Sequence, residues 1–240
     1  MSATALRVLT QLRRDPRTLA LIVGVPCFLE FLLEEIFSAR PQIFQHVGAP
    51  LLGLFPFVSM FVVTSVTMLR ERTSGTLERL MSMPISKLDL LGGYAAAFAL
   101  VAAVQATVVS LLAFGALGLH VAGPRPGVVG LAIANATLGM ALGLFVSAFA
   151  TTEFQAVQFM PAIVLPQLLL CGLFVDRADM AAWLHGVSSV LPLTYAYDAL
   201  ARVASGDAYG RHFAADVAVT LGSVLVALVL GAATLRRRTP

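Results

Sequence analysis

Residues 69–94 read LRERTSGTLERLMSMPISKLDLLGGY, a polar stretch between two apolar segments each long enough to cross a membrane. Arg70, Glu71, Arg72, Glu78, Arg79, Lys87 and Asp89 crowd around one turn, and a loop this charged between two spans has to lie in water. Ser74 and Gly75 can break the helix before them. Thr76 to Met81 then reads as one or two helical turns, with Leu77, Leu80 and Met81 at i, i+3 and i+4 on one face. Glu78 and Arg79 point elsewhere. Pro84 stops the turn, because a proline inside a helix loses a hydrogen bond and clashes with the preceding turn. Ser86 followed by Asp89 has the spacing of a capping box that opens the next span. The pattern predicts a short amphipathic helix held between two membrane helices. Read from composition alone, it fits a docking surface or a cytoplasmic hairpin resting on lipid headgroups.

Composition agrees with a membrane. Of 240 residues, 58% are hydrophobic and 12% charged, and mean hydropathy is +0.87; soluble domains are about a quarter charged. The net charge of +3 is too small to point to nucleic acid. Cys27 and Cys171 both lie in apolar stretches, which argues against a disulfide scaffold.

The apolar runs predict six spans, over 18–37, 50–69, 88–112, 127–150, 157–175 and 213–235. The polar segment between the second and third expected spans covers 70–87. Before the first span, Leu6, Leu9 and Leu12 form a stripe beside Arg7, Arg13, Arg14 and Arg17, as in a helix lying at the membrane surface. Residues 178–205 are half-apolar, and Pro192 and Asp198 argue against a crossing; a pair of short helices dipping into the outer leaflet is expected there. The expectation is thus an all-α membrane protein, a single domain over 1–240, with an N-terminal interfacial helix, six transmembrane helices and an outer re-entrant region. With both termini in the cytoplasm, eleven basic residues fall inside and five outside, the asymmetry of the positive-inside rule. The turn at 151–155 stands apart, with Glu153 and no basic residue.

The run RERTSGTLERLMSMPISKLDLLGG resembles the signature of the ABC type-2 transporter permease family at Arg70, Glu71, Gly75, Thr76, Glu78, Leu80, Pro84 and Ile85. A second stretch, CGLFVDRADMAAWLHGVSSVLPLTYAYDALARV over 171–203, is similar to the segment before that family's last span. Tyr94 stands where lysine is common in the family, and Ala181 where proline is common. The resemblance implies the integral membrane subunit of a bacterial ABC exporter, carrying drugs, antibiotics or other amphiphiles across the plasma membrane. It implies an ABC ATPase subunit and a second permease subunit, identical or related, as partners. It also implies that Arg70, Glu71, Arg72, Gly75, Thr76, Leu77, Glu78, Arg79, Leu80, Met81, Pro84 and Ile85 form the ATPase-coupling segment. Lipid or polysaccharide-precursor export is the alternative cargo.

No GxxxxGK[ST] occurs and the one lysine is Lys87, so ATP and magnesium are expected on a partner and no cofactor on this chain. Its surroundings are membrane lipid, with no role for nucleic acid. Glu30 lies well inside the first expected span, and Glu34 follows one turn later on the same face. An acid in a membrane helix is a functional candidate because burying its charge is costly. Glu30 and Glu34, with Gln158 and Gln167 beside two prolines, are therefore the substrate-path candidates. Against this, Glu30 fits equally a protonated group bonded to a neighbouring helix, with Glu34 and Glu35 reaching the headgroups. His46, His120, His185 and His212 form no close ligand pair, and no metal site is expected. The Glu34–Glu35 pair with Arg40 imperfectly matches a paired-glutamate intramembrane protease, with no histidine helices to follow it. A secondary transporter or channel would show internal repeats, which are not found.

Overall fold

A computed structural model describes residues 2–82, 86–207 and 210–234, and every regular element among them is helical. Besides 3-10 turns at Ser147–Phe149 and Arg177–Asp179, these are in order α1 (Ser2–Arg14), α2 (Pro16–Ile36), α3 (Pro41–Thr73), α4 (Thr76–Met81), α5 (Lys87–Gly115) and α6 (Arg125–Val146). Then follow α7 (Glu153–Phe159), a π-helical turn (Met160–Val164), α8 (Leu165–Leu170), α9 (Ala182–Ser188), α10 (Pro192–Ser205) and α11 (Arg211–Ala233).

The expected count of six spans with a re-entrant pair is corrected. Among the described residues, five helices are long and apolar enough to cross a membrane: Pro41–Thr73, Asp89–Gly115, Arg125–Phe149, Glu153–Leu170 and Arg211–Ala233. The segment expected as the first span does form a helix, α2. However, Glu30, Glu34 and Glu35 interrupt its apolar run, and each acid in a membrane helix carries a large transfer cost. The region 178–205 is not a re-entrant pair. It divides into α9, largely exposed, and α10, which packs against α3, α6 and α11 as an ordinary member of the bundle. Its strong apolar stripe (Leu193, Ala196, Ala199, Leu200 and Val203, all buried) draws it inward, and Gly206 at φ 82° ends it. The N-terminal helix also differs from the stripe expected to meet lipid. Val8 and Leu12 are buried against protein, while Leu6 is 68% exposed.

Helix α3 organises the bundle. It starts at Pro41, which fits the first turn of a helix, and runs 33 residues, about 50 Å, through Pro50 and Pro56. Its most extensive partner is α6. The approach is close because Gly139 and Gly143 face it: a Cβ at Gly139 would meet the Phe57 carbonyl, and one at Gly143 the Phe61 carbonyl and the Thr64 hydroxyl. Thr64 Oγ1 also donates to the Met140 carbonyl at 3.2 Å, so the contact carries a polar tie. Helix α2 is fixed at Ile22, whose carbonyl accepts from Gln105 Nε2 of α5 at 2.7 Å. The helix expected over 157–175 begins earlier and ends at Leu170. Pro161 and Pro166 each lack an N–H, and the ladder widens into a π turn between α7 and α8.

Candidate functional site

The segment expected to couple to an ATPase runs from the end of α3 to the start of α5. α3 stops at Thr73, and Gly75 takes φ 72°, a left-handed conformation that a side chain would oppose. The chain turns at once into α4, with the Ser74 and Thr76 hydroxyls 2.9 Å apart and Arg79 N–H donating to the Gly75 carbonyl at 3.1 Å. On re-entry, Ser86 caps α5: its hydroxyl accepts from the Asp89 N–H at 2.9 Å and donates to the Asp89 carboxylate at 2.7 Å. Leu77 is buried and Leu80 partly buried, both against the core that holds Leu90 and Tyr94 of α5. Arg79 faces outward, exposed. Glu78 and Met81 belong to α4, and Pro84 and Ile85 lie outside the described residues.

Of the three charged residues that lead into this turn, Glu71 and Arg70 are engaged in ion pairs within the molecule. Glu71 is buried, and its carboxylate lies 3.3 Å from Nη2 of Arg7 on α1. Arg7 also donates to the Tyr94 hydroxyl on α5, and its guanidinium carbon stands 5.6 Å from the centre of the tyrosine ring. Arg70 makes a two-pronged ion pair with Glu153 at the start of α7, at 2.7 and 2.9 Å. Both partners are more than half exposed, so this pair contributes at most about 1 kcal/mol and serves mainly to align α7 with α3. Arg72 is half-buried, with no hydrogen-bond partner for its Nε among the described residues. Between α1–α2 and the end of α3 lies an open cavity of about 470 Å³, with a floor of Val8, Leu12, Val62 and Val66 and a rim that includes Asp15, Arg70 and Glu71.

The substrate-path candidates do not share one environment. Glu30 is fully buried on α2, and neither carboxylate oxygen has a hydrogen-bond partner among the described residues. Glu34 is half-buried and Gln158 exposed. Gln167 is buried, donating to the Ile163 carbonyl at 3.2 Å across the π turn while its Oε1 has no partner. Sequence reasoning missed Arg7 and Tyr94, which lie 64 and 23 positions from Glu71. It also missed Arg177, whose guanidinium bridges Asp198 at 2.9 Å and Ser189 at 3.0 Å and so ties α9 to α10. Only the Glu153 contact left a trace, as an acid in a turn without any basic neighbour. No group of three His, Cys, Asp or Glu side chains among the described residues is placed to hold a metal ion.

Residues 2–203 match the family model described as ABC-2 type transporter. The chain belongs to that family. Two relatives with which the chain shares similarity are described as ABC transporters. The "Probable multidrug ABC transporter permease YbhR" of Escherichia coli is 27% identical over 164 residues, covering 66% of this chain and 43% of the relative. The "ABC transporter G family member 20" of Dictyostelium discoideum is 26% identical over 147 residues, covering 61% of this chain and 20% of the relative. The matched part is thus less than half of either relative. The match includes the α3–α4–α5 hairpin and all but the last two residues of α10.

Proposed function

We propose that this chain is the membrane-spanning permease subunit of an ATP-driven ABC exporter and carries out no catalysis of its own. ATP and magnesium belong to an ABC ATPase subunit that docks on α4. The observation that carries this reading is the construction of α4: one short helix, set off from α3 by Gly75, rooted in the core through Leu77 and presenting Arg79 to solvent. A helix built that way receives a push from outside and hands it to α3 and α5, which it joins. Thr76, Leu77, Glu78, Arg79, Leu80 and Met81 form the contact element, and Gly75, with Pro84 and Ile85, bounds it. Arg70 and Glu71 hold its base, while Arg72 and Arg79 add positive charge that steers docking. The end of the molecule bearing α1, α4 and the start of α5 faces the cytoplasm, because Arg7, Arg13, Arg14, Arg17, Arg70, Arg72, Arg79 and Lys87 gather there.

The cargo proposed is a drug, antibiotic or other amphiphile, moved across the plasma membrane between this chain and a second permease subunit. The multidrug description of the E. coli relative supports that class over lipid or polysaccharide precursors. Two outcomes test the core of the reading. The tagged chain, purified from its native membrane, brings down an ATP-binding protein; recovery of the chain without one contradicts the proposal. Glu78→Lys leaves that partner's ATP hydrolysis running but abolishes export, and normal export per ATP in this variant removes α4 from the coupling path.

A further inference from the structure

Glu30 has no counter-charge among the described residues. It ends the buried stripe of α2, formed by Ile22, Pro26 and Glu30, and neither of its carboxylate oxygens has a partner there. The helices packed against α2 are α1, α3 and α5. Helix α3 carries no ionisable side chain over 47–69, and α5 none over 95–115. His46, near the start of α3, is exposed. Arg70, Glu71, Arg72, Lys87, Asp89 and Tyr94 all lie toward the end of these helices that bears α4. The arginines of α1 meet the opposite end of α2, because Glu30 lies about 20 Å along that helix from Pro16. On α2 itself the nearest titratable groups are the Cys27 thiol, Glu34 and Glu35, and none of them is a cation.

A carboxylate left alone in an apolar interior is strongly disfavoured, so its charge has to be cancelled by something the surrounding helices do not supply. A proton and a cationic cargo both meet that need. From this we infer that Glu30 is an exchange site, at which a bound proton gives way to a cationic amphiphile. The inference rests on the cargo class proposed above and adds what the site releases in return. In the exchange the Glu30 O–H bond breaks and the proton passes to water. The carboxylate left behind then pairs with the positive charge of the cargo. The local build of α2 suits an opening at this level. Pro26 has no N–H for the Ile22 carbonyl, and Gln105 Nε2 of α5 takes that carbonyl instead at 2.7 Å. Helix α2 is thus pinned at Ile22 and lacks one ladder bond just before Glu30. Its outer face is uncovered at Val25 and Phe28. On α5, Gln105 Oε1 and Ser110 Oγ are also buried without partners, so the neighbouring helix offers acceptors for a water that carries the proton away.

The test uses the full chain, with its co-purified partners, in lipid nanodiscs, and tetraphenylphosphonium as the probe because its charge does not depend on pH. In weakly buffered neutral medium, binding to the wild type releases about one proton per cation, read with a pH indicator. Affinity for the cation falls about tenfold for each unit by which pH is lowered, since the proton competes for the same group. Infrared difference spectra of the wild type show a protonated-carboxyl band that is lost on binding. Glu30→Gln, a neutral group of the same shape, keeps the unfolding midpoint but loses that band, the proton release and the pH dependence. Glu35→Gln, an exposed acid on the same helix, behaves as the wild type. Cation binding to the wild type with no proton released and no band lost overturns the inference and leaves the cargo reading standing. Release that survives in Glu30→Gln overturns it too, by placing the proton elsewhere. A chain that binds no cation defeats the cargo reading, and this inference with it.

Discussion

Gly139 shows how a single position governs packing between the two most intimately joined helices. Its hydrogen lies against the Phe57 backbone, so even one added methyl group has no room. Gly139→Ala is expected to destabilise the bundle by about 1–3 kcal/mol, the usual cost of overpacking. Gly130, on the same helix with no neighbour near its missing Cβ, is the control, and its alanine variant should keep or raise stability, by up to about 1 kcal/mol from helix propensity. Equal unfolding midpoints in micelles for both variants would contradict the close α3–α6 contact. Glu30 poses the opposite problem, a polar group buried with nothing to bond. If it lines a path for cationic amphiphiles, Glu30→Gln slows export of a cationic dye and spares a neutral one. Undiminished export of both dyes would assign Glu30 to the fold alone.

Elements here end where side chains close them, and much of that is local. Asp15 caps α2 by accepting from the Thr18 N–H at 3.2 Å and the Thr18 hydroxyl at 2.6 Å. Those bonds hold the Asp15 carboxyl below its ordinary range. A lowered pKa in the folded chain means the cap contributes fully above the ordinary aspartate value, about 3.9, and is lost as pH falls through and below it. The stability difference between wild type and Asp15→Ala should therefore be present at neutral pH and vanish in acid; a difference that persists below that range would contradict the cap. The same local chemistry made α4 legible from sequence, since Gly75, the apolar spacing of Leu77 and Leu80, and the Ser86–Asp89 cap act over a few residues. Which side of a polar turn faces the core was not legible. Glu71 and Glu78 look alike in the sequence, yet Glu71 is claimed by Arg7, an arginine 64 positions away on a helix whose docking no local pattern encodes.

Taken whole, the molecule is a set of apolar rods with one polar hairpin at the end where most basic residues gather. Hydropathy conveyed its class, and two motifs in order conveyed its family, because both depend on composition or short spacing. The span count did not follow, since α2 carries three acids through an otherwise apolar run, and the amphipathic pattern of α10 reads equally as half of a re-entrant pair. Burial against α3, α6 and α11 decides α10's position, and that is a property of the assembled bundle. The central claim is that α4 lies in the cytoplasm and touches an ATP-binding subunit. Arg79→Cys, placed in a chain whose Cys27 and Cys171 are replaced by serine and alanine, puts one reactive thiol on the exposed face of α4. We predict that it cross-links to the ATP-binding subunit and resists a membrane-impermeant thiol reagent added to intact cells; labelling from outside, with no cross-link, would contradict the account.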